Sequence, residues 1–280
     1  MNKKFTTVDF KKAKEAGEKI TMLTAYDYPT AKIFDEAGVD SILVGDSLGM
    51  VVLGYEDTTK VTMEDMIHHI KAVCRGVNRA LVIGDMPFLS YGIGKYESVK
   101  NAGRLVREGG CSAVKLEGGQ HVAEDIKAII SAGIPVMGHL GYTPQSINIF
   151  GGHKAQGKTL ETARKIYRDA LLLQQAGVFS IVLECVPYKL AAFISSRLDI
   201  PVIGIGSGAG CDGQVLVAHD ILGVYRDFSP KHSKRYADVG DIMEKAAMDY
   251  ISETKSGAFP TEKNSFIIDD DILDQLKKEI

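Results

Sequence analysis

Short apolar runs rich in Val, Ile and Leu recur along the chain, and each is followed by a polar loop and then by a longer segment of helical periodicity. Nearly continuous apolar runs of this kind are typical of strands buried on both faces of a parallel sheet. The pattern predicts eight such strands, of which the last has the weakest signal because it is short and has polar neighbours. They lie at residues 20–24, 41–46, 80–85, 113–117, 134–139, 180–184, 201–205 and 221–225.

The segments between the predicted strands place apolar residues on one face of a helix. They are residues 28–37, 62–75, 98–108, 123–132, 159–176 and 187–197. Several end at a glycine, such as Gly38, Gly133 or Gly177, which can adopt the left-handed conformation that ends a helix, and the next strand follows. The repeated order of helix, glycine and strand favours a closed (β/α)8 barrel over a doubly wound sheet.

The length of the chain fits one barrel. Such barrels typically have ~250 residues, and this chain has 280. We therefore predict an α/β protein with a single (β/α)8-barrel domain over residues 1–280. A short N-terminal helix at about residues 7–16 is expected to cap the barrel bottom. After the eighth strand, the pattern predicts a helix at residues 241–256, a C-terminal tail at about residues 257–280, and a last amphipathic helix from residue 270 within that tail.

The composition argues against several classes of function. The formal net charge is −3, and no run of Lys and Arg is long enough to form a basic surface for nucleic acid. No uncharged apolar stretch approaches the ~20 residues that cross a bilayer, and the chain does not begin with the apolar segment of a secretion signal. The four cysteines form no C-x-x-C pair, so no zinc ribbon is indicated. We expect a cytoplasmic protein that acts on small molecules and binds neither nucleic acid nor a membrane.

The C-terminal ends of the predicted strands carry many charged side chains. In a parallel barrel these ends meet at one face, where catalytic groups are expected. Because residues two apart on a strand share a face, Lys115 and Glu117 can both point into the barrel mouth. The expected cluster consists of Asp46, Asp85, Lys115, Glu117, His139 and Glu184.

The acidic side chains of this cluster predict a metal site. Two carboxylates about 4 Å apart repel each other by roughly 4 kcal/mol at an effective dielectric constant of ~20. Clustered carboxylates therefore take up protons or bind a cation, and Lys115 alone cannot balance them. An all-oxygen set suits Mg2+ better than Zn2+, which prefers nitrogen and sulfur ligands. Any one of these acids could instead cap a loop, but together they favour a Mg2+ site, held directly or through water by Asp46, Asp85 and Glu117.

The predicted metal site suggests a proton abstraction. A metal that polarises the carbonyl of a bound 2-oxo acid acidifies the adjacent C–H group, and a base must then remove the proton. Glu184 is the candidate base, since it lies on the sixth strand among apolar residues that we expect to raise its pKa towards neutrality. In the alternative interpretation, Glu184 orients a water molecule or His139.

The other polar residues of the mouth are assigned to the substrate. We expect Ser47 and Lys115 to bind a substrate carboxylate, although Ser47 could instead cap the next helix and Lys115 could be only an ion-pair partner. His139 is expected to be a neutral hydrogen-bond partner of the substrate rather than a metal ligand, because the predicted ligand set is rich in oxygen.

Two glycine-rich segments carry weaker signals. Residues 204–209 satisfy the G-x-G-x-x-A dinucleotide-binding pattern after the seventh strand, but the segment that follows is not a clean βαβ unit. We therefore interpret residues 204–209 as a turn that approaches a phosphate or a bulky second substrate. Residues 149–158 follow the fifth strand and are a candidate mobile lid over the mouth.

Several long motifs, found in order between about residue 4 and residue 267, resemble those of a known family. They occupy residues 22–29, 43–50, 115–119, 138–146, 148–152, 183–187 and 201–208. These motifs closely resemble the ketopantoate hydroxymethyltransferases, a family of Mg2+-dependent (β/α)8 barrels related to phosphoenolpyruvate mutase and isocitrate lyase. The length and order of the motifs make a chance similarity improbable.

The resemblance implies a one-carbon transfer. In this family, 3-methyl-2-oxobutanoate receives a hydroxymethyl group from 5,10-methylenetetrahydrofolate and water, which gives 2-dehydropantoate in pantothenate synthesis. The resemblance also implies a homo-oligomer, commonly a decamer of two pentameric rings. It implies metal ligands at Asp46, Asp85 and Glu117 and a general base at Glu184. The substrate contacts that it implies are Asp46, Ser47, Asp85 and Lys115.

Two alternative functions remain open from the sequence. One is a carbon–carbon lyase or phosphonopyruvate-type mutase of the same superfamily, which would need a reactive cysteine or a phosphate-binding loop near the metal. Cys185 follows Glu184 directly, but on an ideal strand it would point away from it. The other is a non-catalytic barrel that senses a 2-oxo acid, a role for which Glu184 would not be needed.

Overall fold

The computed structural model describes residues 3–152, 154–226 and 230–280. Within these ranges, eight strands pair in chain order, all of them parallel, and the last pairs with the first to close a barrel. The strands are β1 (Ile20–Thr24), β2 (Ser41–Val44), β3 (Leu81–Asp85), β4 (Ala113–Glu117), β5 (Val136–Gly141), β6 (Ser180–Glu184), β7 (Val202–Ile205) and β8 (Gly213–Leu216).

Helices surround the barrel and follow its strands. Those in the described part of the chain are α1 (Thr7–Ala16), α2 (Tyr28–Glu36), α3 (Leu48–Val51), α4 (Met63–Gly76), α5 (Lys95–Arg104), α6 (Ala123–Ser131), α7 (Ile147–Phe150), α8 (Leu160–Ala176), α9 (Tyr188–Arg197), α10 (Ala218–Leu222), α11 (Val239–Ser256) and α12 (Asp270–Glu279). A π-helical turn, Leu105–Gly109, continues α5. Short 3-10 turns in the described ranges are Thr58–Lys60, Gln120–Val122, Pro144–Ser146 and Glu262–Asn264.

The helices begin where the sequence provides caps. Thr62 and Thr159 each accept a hydrogen bond from a backbone N–H three residues later, and Pro29 lies in the first turn of α2. None of the helices in the described ranges combines the length and the apolar character needed to cross a membrane.

The predicted barrel is confirmed, but the predicted eighth strand is wrong. The pattern placed this strand at residues 221–225, whereas β8 is Gly213–Leu216 and residues 221 and 222 end α10. Two residues of β8 hide its apolar pattern, the exposed Gln214 and the glycine at position 213. A Cβ at Gly213 would lie 2.5 Å from the carbonyl oxygen of Ile20, so the close pairing with β1 requires glycine.

The glycine-rich segment forms the connection between β7 and β8. Residues 206–212, all described, form no helix and return directly along the outside of the barrel. A Cβ at Gly208 would lie 2.5 Å from the Cβ of Tyr188, and one at Gly210 would lie 2.5 Å from the Cβ of Ala192. These two glycines therefore allow the connection to pack against α9. The expected approach of residues 204–209 to a phosphate or a bulky second substrate stays a prediction.

Inward-pointing side chains fill the barrel, as expected for this architecture. An apolar layer in the lower half includes the buried residues Ile83, Ala113, Met137 and Val182. Phe10 of α1 closes the bottom of this layer; it is fully buried and contacts Phe179 edge to face, with ring centroids 5.3 Å apart. The prediction of an N-terminal helix that caps the barrel is confirmed. A second apolar core lies between the strands and the surrounding helices.

We call residues 239–280, from α11 to the last residue, the C-terminal arm. The predicted helices of this segment are confirmed as α11 and α12, but they hardly pack on the barrel, and Gly240 is the one buried residue of the arm. Its exposed large apolar side chains are Ile242, Met243, Met248, Tyr250, Ile251, Phe259, Phe266, Ile267, Ile268, Ile272, Leu276 and Ile280. Exposed apolar surface of this kind marks an interaction site.

Candidate active site at the barrel mouth

The register of the strands brings the predicted charged residues together. Asp85 is paired with Lys115 across β3 and β4, and Glu117 is paired with His139 across β4 and β5. Asp85, Lys115 and His139 lie two positions beyond members of the apolar layer, and Glu117 lies two positions beyond Lys115, so the alternation of strand side chains keeps all four on the inner face. All four are buried. The mouth of the barrel is therefore a charged layer stacked on an apolar one.

Asp85 links Asp46, which follows β2, to Lys115 of β4. Lys115 Nζ donates a hydrogen bond to Asp85 Oδ1, and the backbone N of Asp46 donates to Asp85 Oδ2 at 3.3 Å. Asp46 lies two residues beyond the end of β2, so the predicted strand was two residues too long. Burial lowers the pKa of Lys115, but the charges of Asp85, Glu117 and Asp46 outweigh it and raise that pKa.

His139 lies between two carboxylates. Its Nδ1 is 3.4 Å from Glu117 Oε1, and its Nε2 is 3.3 Å from Glu184 Oε2. Neither contact has the alignment of a good hydrogen bond. Burial and the Lys115 charge lower the pKa of His139, but Glu117 and Glu184 outweigh them and raise it to about 9. The expectation of a neutral His139 is therefore wrong for this arrangement, because two carboxylates stabilise the imidazolium.

Negative charge exceeds positive charge in this layer. Burial, and then the charges of Asp85 and Glu117, raise the pKa of Asp46 to about 8. Among the described residues of the mouth, four carboxylates face the charges of Lys115 and protonated His139. With every carboxylate ionised, two negative charges would remain uncompensated. A divalent cation would balance this excess.

The donor chemistry of the mouth fits Mg2+. Over the described ranges, no group of three or more His, Cys, Asp or Glu side chains is arranged as a preformed metal cage. Mg2+ does not require such a cage, because it usually keeps several waters and binds one or two carboxylates together with substrate oxygens. The acids available here are hard oxygen donors with excess negative charge, which is the chemistry that Mg2+ selects. The assignment of Asp46, Asp85 and Glu117 as ligands stays a prediction.

Glu184 reaches the mouth from the end of β6. Its side chain is 16% exposed, and its Oε2 lies 3.3 Å from His139 Nε2. Gly141, with φ at 94°, passes so close that a Cβ there would lie 2.3 Å from the carbonyl oxygen of Glu184. The backbone N of Tyr142 donates to the same oxygen at 2.8 Å. β5 and its following turn therefore fix the backbone of Glu184 from one side.

The residue after Glu184 has an unusual backbone. Cys185 adopts a φ of 52°, a left-handed conformation that is uncommon outside glycine. The hydroxyl of Ser207 bridges this turn: it donates to Leu183 O at 2.7 Å and accepts from Val186 N at 3.1 Å. The left-handed turn makes the chain leave the barrel immediately after Glu184, at the rim of the mouth.

Comparisons with known proteins match this chain to one family. A family model described as ketopantoate hydroxymethyltransferase matches residues 4–262. The chain is 74% identical over 278 residues to 3-methyl-2-oxobutanoate hydroxymethyltransferase of Acetivibrio thermocellus, which covers 99% of this chain and 98% of that relative. The chain belongs to the ketopantoate hydroxymethyltransferase family. The protein of the same name from Clostridium novyi is 60% identical over 273 residues, with 98% of this chain and 99% of the relative covered.

Solved structures of other enzymes share the fold of this hydroxymethyltransferase. 2,3-Dimethylmalate lyase, a member of the phosphoenolpyruvate mutase and isocitrate lyase superfamily, gives a TM-score of 0.58 at 14% identity, covering 93% of this chain and 91% of that chain. Phosphonopyruvate hydrolase, in a complex with oxalate and Mg2+, gives 0.56 at 14% identity, with 92% of each chain covered. The expected (β/α)8-barrel fold and the expected hydroxymethyltransferase class are both confirmed.

Ser47 of this hydroxymethyltransferase does not cap the helix that follows it. Although Ser47 stands at the N-cap position of α3, its side chain makes no capping hydrogen bond. Its hydroxyl instead contacts the hydroxyl of Tyr26 at 2.8 Å, at the end of β1. The alternative role of Ser47 as a helix cap is therefore excluded, and its hydroxyl pairs with that of Tyr26, after the end of β1.

Two buried residues in the hydroxymethyltransferase mouth were missed by the sequence analysis. Gln145 follows β5 and bonds to both Asp46 and Glu117, and Tyr91 follows β3 and bonds to Gln145. Gln145 lies within the motif at residues 138–146, which was a signal that could have identified it. Tyr91 lies in the loop after β3 and had no comparable signal.

The predicted lid of the hydroxymethyltransferase is partly described. Of residues 149–158, His153 lies outside the described residues. The backbone N of Gln156 donates to Cys185 O at 3.0 Å, and a Cβ at Gly157 would lie 2.8 Å from Leu190. The end of this segment therefore lies against the turn that follows Glu184. The prediction that the segment moves over the mouth stays open.

Proposed function

We propose that this protein is a 3-methyl-2-oxobutanoate hydroxymethyltransferase that uses 5,10-methylenetetrahydrofolate as the one-carbon donor and forms 2-dehydropantoate for pantothenate synthesis. Family membership supports the reaction class and the substrate. The observation that carries the proposal is the layer of four carboxylates, one lysine and one histidine at the barrel mouth. Such a layer combines an anion-binding cation, a candidate base and the oxygen donors for a divalent metal.

Mg2+ is the proposed metal, with Asp46, Asp85 and Glu117 as its protein ligands, directly or through water. When bound, it would polarise the 2-oxo group and so acidify the C–H group at C3 of the substrate. Support comes from the uncompensated negative charge and the raised pKa of Asp46. Phosphonopyruvate hydrolase, which shares this fold, has been solved in a complex with oxalate and Mg2+, and this is consistent with Mg2+ as the metal.

The remaining residues have distinct proposed roles. Ser47 and Lys115 bind the substrate carboxylate, Asp46 and Asp85 complete the substrate-binding side, and His139 lies between this group and the base. Glu184 accepts the C3 proton, and the electron pair of the broken C–H bond forms the enolate that attacks the one-carbon unit. The partial exposure of Glu184 supports this role, since a base that exchanges protons must reach both the substrate and solvent.

Features of this mouth disfavour the lyase or mutase alternative. Burial, and then the charge of Glu184, raise the pKa of the Cys185 thiol to about 11, so the thiol stays protonated at neutral pH and is a poor nucleophile. The glycine-rich connection after β7 packs against α9 rather than forming an open phosphate loop. A passive sensor, in turn, would not need a glutamate base held by two neighbouring strands.

We also propose that the chain assembles into a homo-oligomer, a decamer, and acts in the cytoplasm. The exposed apolar side chains of the C-terminal arm support assembly. The free thiols at Cys74, Cys111, Cys185 and Cys211 fit a reducing compartment.

A product assay tests the proposed reaction. The purified protein is incubated with Mg2+, 3-methyl-2-oxobutanoate and 5,10-methylenetetrahydrofolate, and the products are followed by mass spectrometry and proton NMR. We expect a product that has gained one CH2O unit at C3, together with tetrahydrofolate. Cleavage of the 2-oxo acid would support the lyase alternative, and binding without any product would support the sensor.

A further inference from the structure

Gln145 connects three strands of the barrel at the mouth. Its side-chain Nε2 donates to Asp46 Oδ2 at 2.9 Å and to the carbonyl oxygen of Met86 at 3.0 Å. Its backbone N donates to Glu117 Oε2 at 3.1 Å. One residue of the turn after β5 thus bonds to the acids that follow β2 and end β4, and to the backbone that follows β3.

Tyr91 fixes the orientation of this amide. The hydroxyl of Tyr91 donates to Gln145 Oε1 at 2.6 Å and accepts from the backbone N of Glu117 at 3.1 Å. The carbonyl oxygen of Met86 can only accept, so the NH2 group of Gln145 must face it, and its Oε1 must face Tyr91. Gln145 is 6% exposed and Tyr91 is 9% exposed, so water does not compete strongly for these bonds.

The network leaves two carboxylate oxygens of the proposed ligands without a hydrogen bond from the described residues, Glu117 Oε1 and Asp46 Oδ1. Asp85 uses one oxygen for Lys115 and the other for the backbone of Asp46. Glu117 uses one for the backbone of Gln145 and has the other 3.4 Å from His139. Asp46 Oδ2 accepts from Gln145, and no donor among the described residues contacts Asp46 Oδ1. The side chain of Gln145 therefore determines which oxygen of Asp46 is left for another ligand.

We propose that Gln145, held by Tyr91, is a positioning residue that presents Asp46 Oδ1 to the divalent metal. This inference rests on the proposed Mg2+ site. Partners that orient a metal-ligating carboxylate are needed because a free side chain would lose affinity through its own rotation and through mismatched geometry. Hydrogen bonds from Gln145 and Tyr91 also connect Asp46 to Glu117. The positions of these two predicted ligands should therefore change together.

The test compares Mg2+ binding in wild type, Gln145→Met, Gln145→Glu and Tyr91→Phe. Gln145→Met keeps the size of the side chain and the backbone bond to Glu117 but removes the amide. Gln145→Glu keeps the shape but replaces the donor to Asp46 with an acceptor. Gln174→Met is the matched control, because Gln174 makes side-chain hydrogen bonds to Asp199 and Ile200, far from the mouth. Calorimetric titration with Mg2+ alone and electron paramagnetic resonance of added Mn2+ report the binding.

We expect the Mg2+ dissociation constant to rise about 10- to 100-fold in Gln145→Met, the usual effect of losing a partner that orients a ligand. Tyr91→Phe should raise it by roughly 2- to 10-fold, because one hydrogen bond to the amide is lost. The double variant should show less than the product of the two effects, since Tyr91 acts through Gln145. The Mn2+ spectrum of Gln145→Met should change, while Gln174→Met should match wild type in both readouts.

Two results would overturn the inference. The first is Mg2+ affinity within twofold of wild type in Gln145→Met and Tyr91→Phe, with wild type itself binding Mg2+; the proposed function would then stand without this role. The second is a wild-type protein that binds no Mg2+, which would remove the proposed metal site as well. Thermal melts and circular dichroism of each variant separate a loss of fold from a loss of affinity, and Gln145→Glu keeps the question answerable if Gln145→Met unfolds.

Discussion

Cys185, which follows the candidate base, has an energetically unfavourable backbone conformation. A left-handed conformation costs a residue with a Cβ about 1–2 kcal/mol, and Cys185 adopts it at a φ of 52°. The hydrogen bonds that Ser207 makes to Leu183 and Val186 lie on either side of this turn. We infer that this bridge helps to hold the turn, and with it the direction in which Glu184 leaves β6.

Ser207→Ala should therefore destabilise the protein. The substitution leaves the buried N–H of Val186 without the acceptor that Ser207 provides and removes one donor to the carbonyl oxygen of Leu183, and a buried group left unpaired costs about 1–3 kcal/mol. Turnover should fall as well, because Glu184 would be less well held. Urea unfolding monitored by circular dichroism measures the stability. Ser196→Ala is the control, since the Ser196 hydroxyl donates to Phe193 O of its own helix at an exposed position. Equal midpoints for the two variants would show that Ser207 does not hold the turn.

His139 illustrates what residue types alone could not predict. The sequence placed His139 at the mouth, and the structure agrees. Its protonation depends on the distances to Glu117 and Glu184, which are properties of the folded barrel. A strand pattern assigns the face of a side chain, but not the charge of the groups across from it.

At the scale of elements, β3 and β4 could be predicted because they are apolar runs that end in charged residues. β8 could not, because its signal depends on Gly213, which is required by the close pairing with Ile20 rather than by any preference of its own segment. The motif at residues 138–146 contains Gln145, but the position of its side chain could not be predicted, since it depends on how the turn passes Glu184. Local patterns predict elements, whereas contacts between elements decide these details.

The start of β3 is fixed by a carboxylate of α2. Asp35 is 8% exposed, and its oxygens accept hydrogen bonds from the backbone N–H groups of Asn78, Arg79 and Ala80 at 2.7 to 3.2 Å. Asp35→Ala should lower the free energy of unfolding by roughly 1–3 kcal/mol, because it leaves the buried N–H of Ala80 and the two partly buried N–H groups without a charged acceptor.

The exposed neighbour Glu36 provides the control for this prediction. Glu36 makes only a surface contact of 3.8 Å with Lys32, and its side chain is 65% exposed. Glu36→Ala should change the stability by less than about 0.5 kcal/mol. Chemical denaturation of both variants makes the comparison, and a similar small effect of Asp35→Ala would mean that the network contributes little.

At the scale of the whole molecule, the barrel explains why the site could be predicted from distant residues. Closure of the sheet places the carboxyl ends of all strands on one face, so Asp85 of β3 and Glu184 of β6 lie at the same mouth although they are far apart in the chain. The pattern could not predict the exposure of the C-terminal arm, because the same amphipathic helix can pack on its own barrel or on another molecule. Its exposure became evident only from the fold.

The C-terminal arm predicts an assembly that can be measured. Met243 and Tyr250 lie seven residues apart on α11, on the same side of the helix, and are 58% and 59% exposed. Charging both, in Met243→Glu with Tyr250→Glu, should lower the mass found by light scattering after size exclusion. A wild-type protein that elutes as a monomer of 30.4 kDa would contradict the proposed oligomer.

The central claim is that the acids at the mouth form a metal-assisted site in which Glu184 removes the C3 proton of a 2-oxo acid. Exchange of that proton of 3-methyl-2-oxobutanoate with D2O, followed by NMR without folate, tests it most directly. The account predicts exchange by wild type that requires Mg2+, and a loss of about 100-fold or more in Glu184→Gln, with binding of the 2-oxo acid retained. Exchange by Glu184→Gln at the wild-type rate, or by wild type equally without Mg2+, would contradict it.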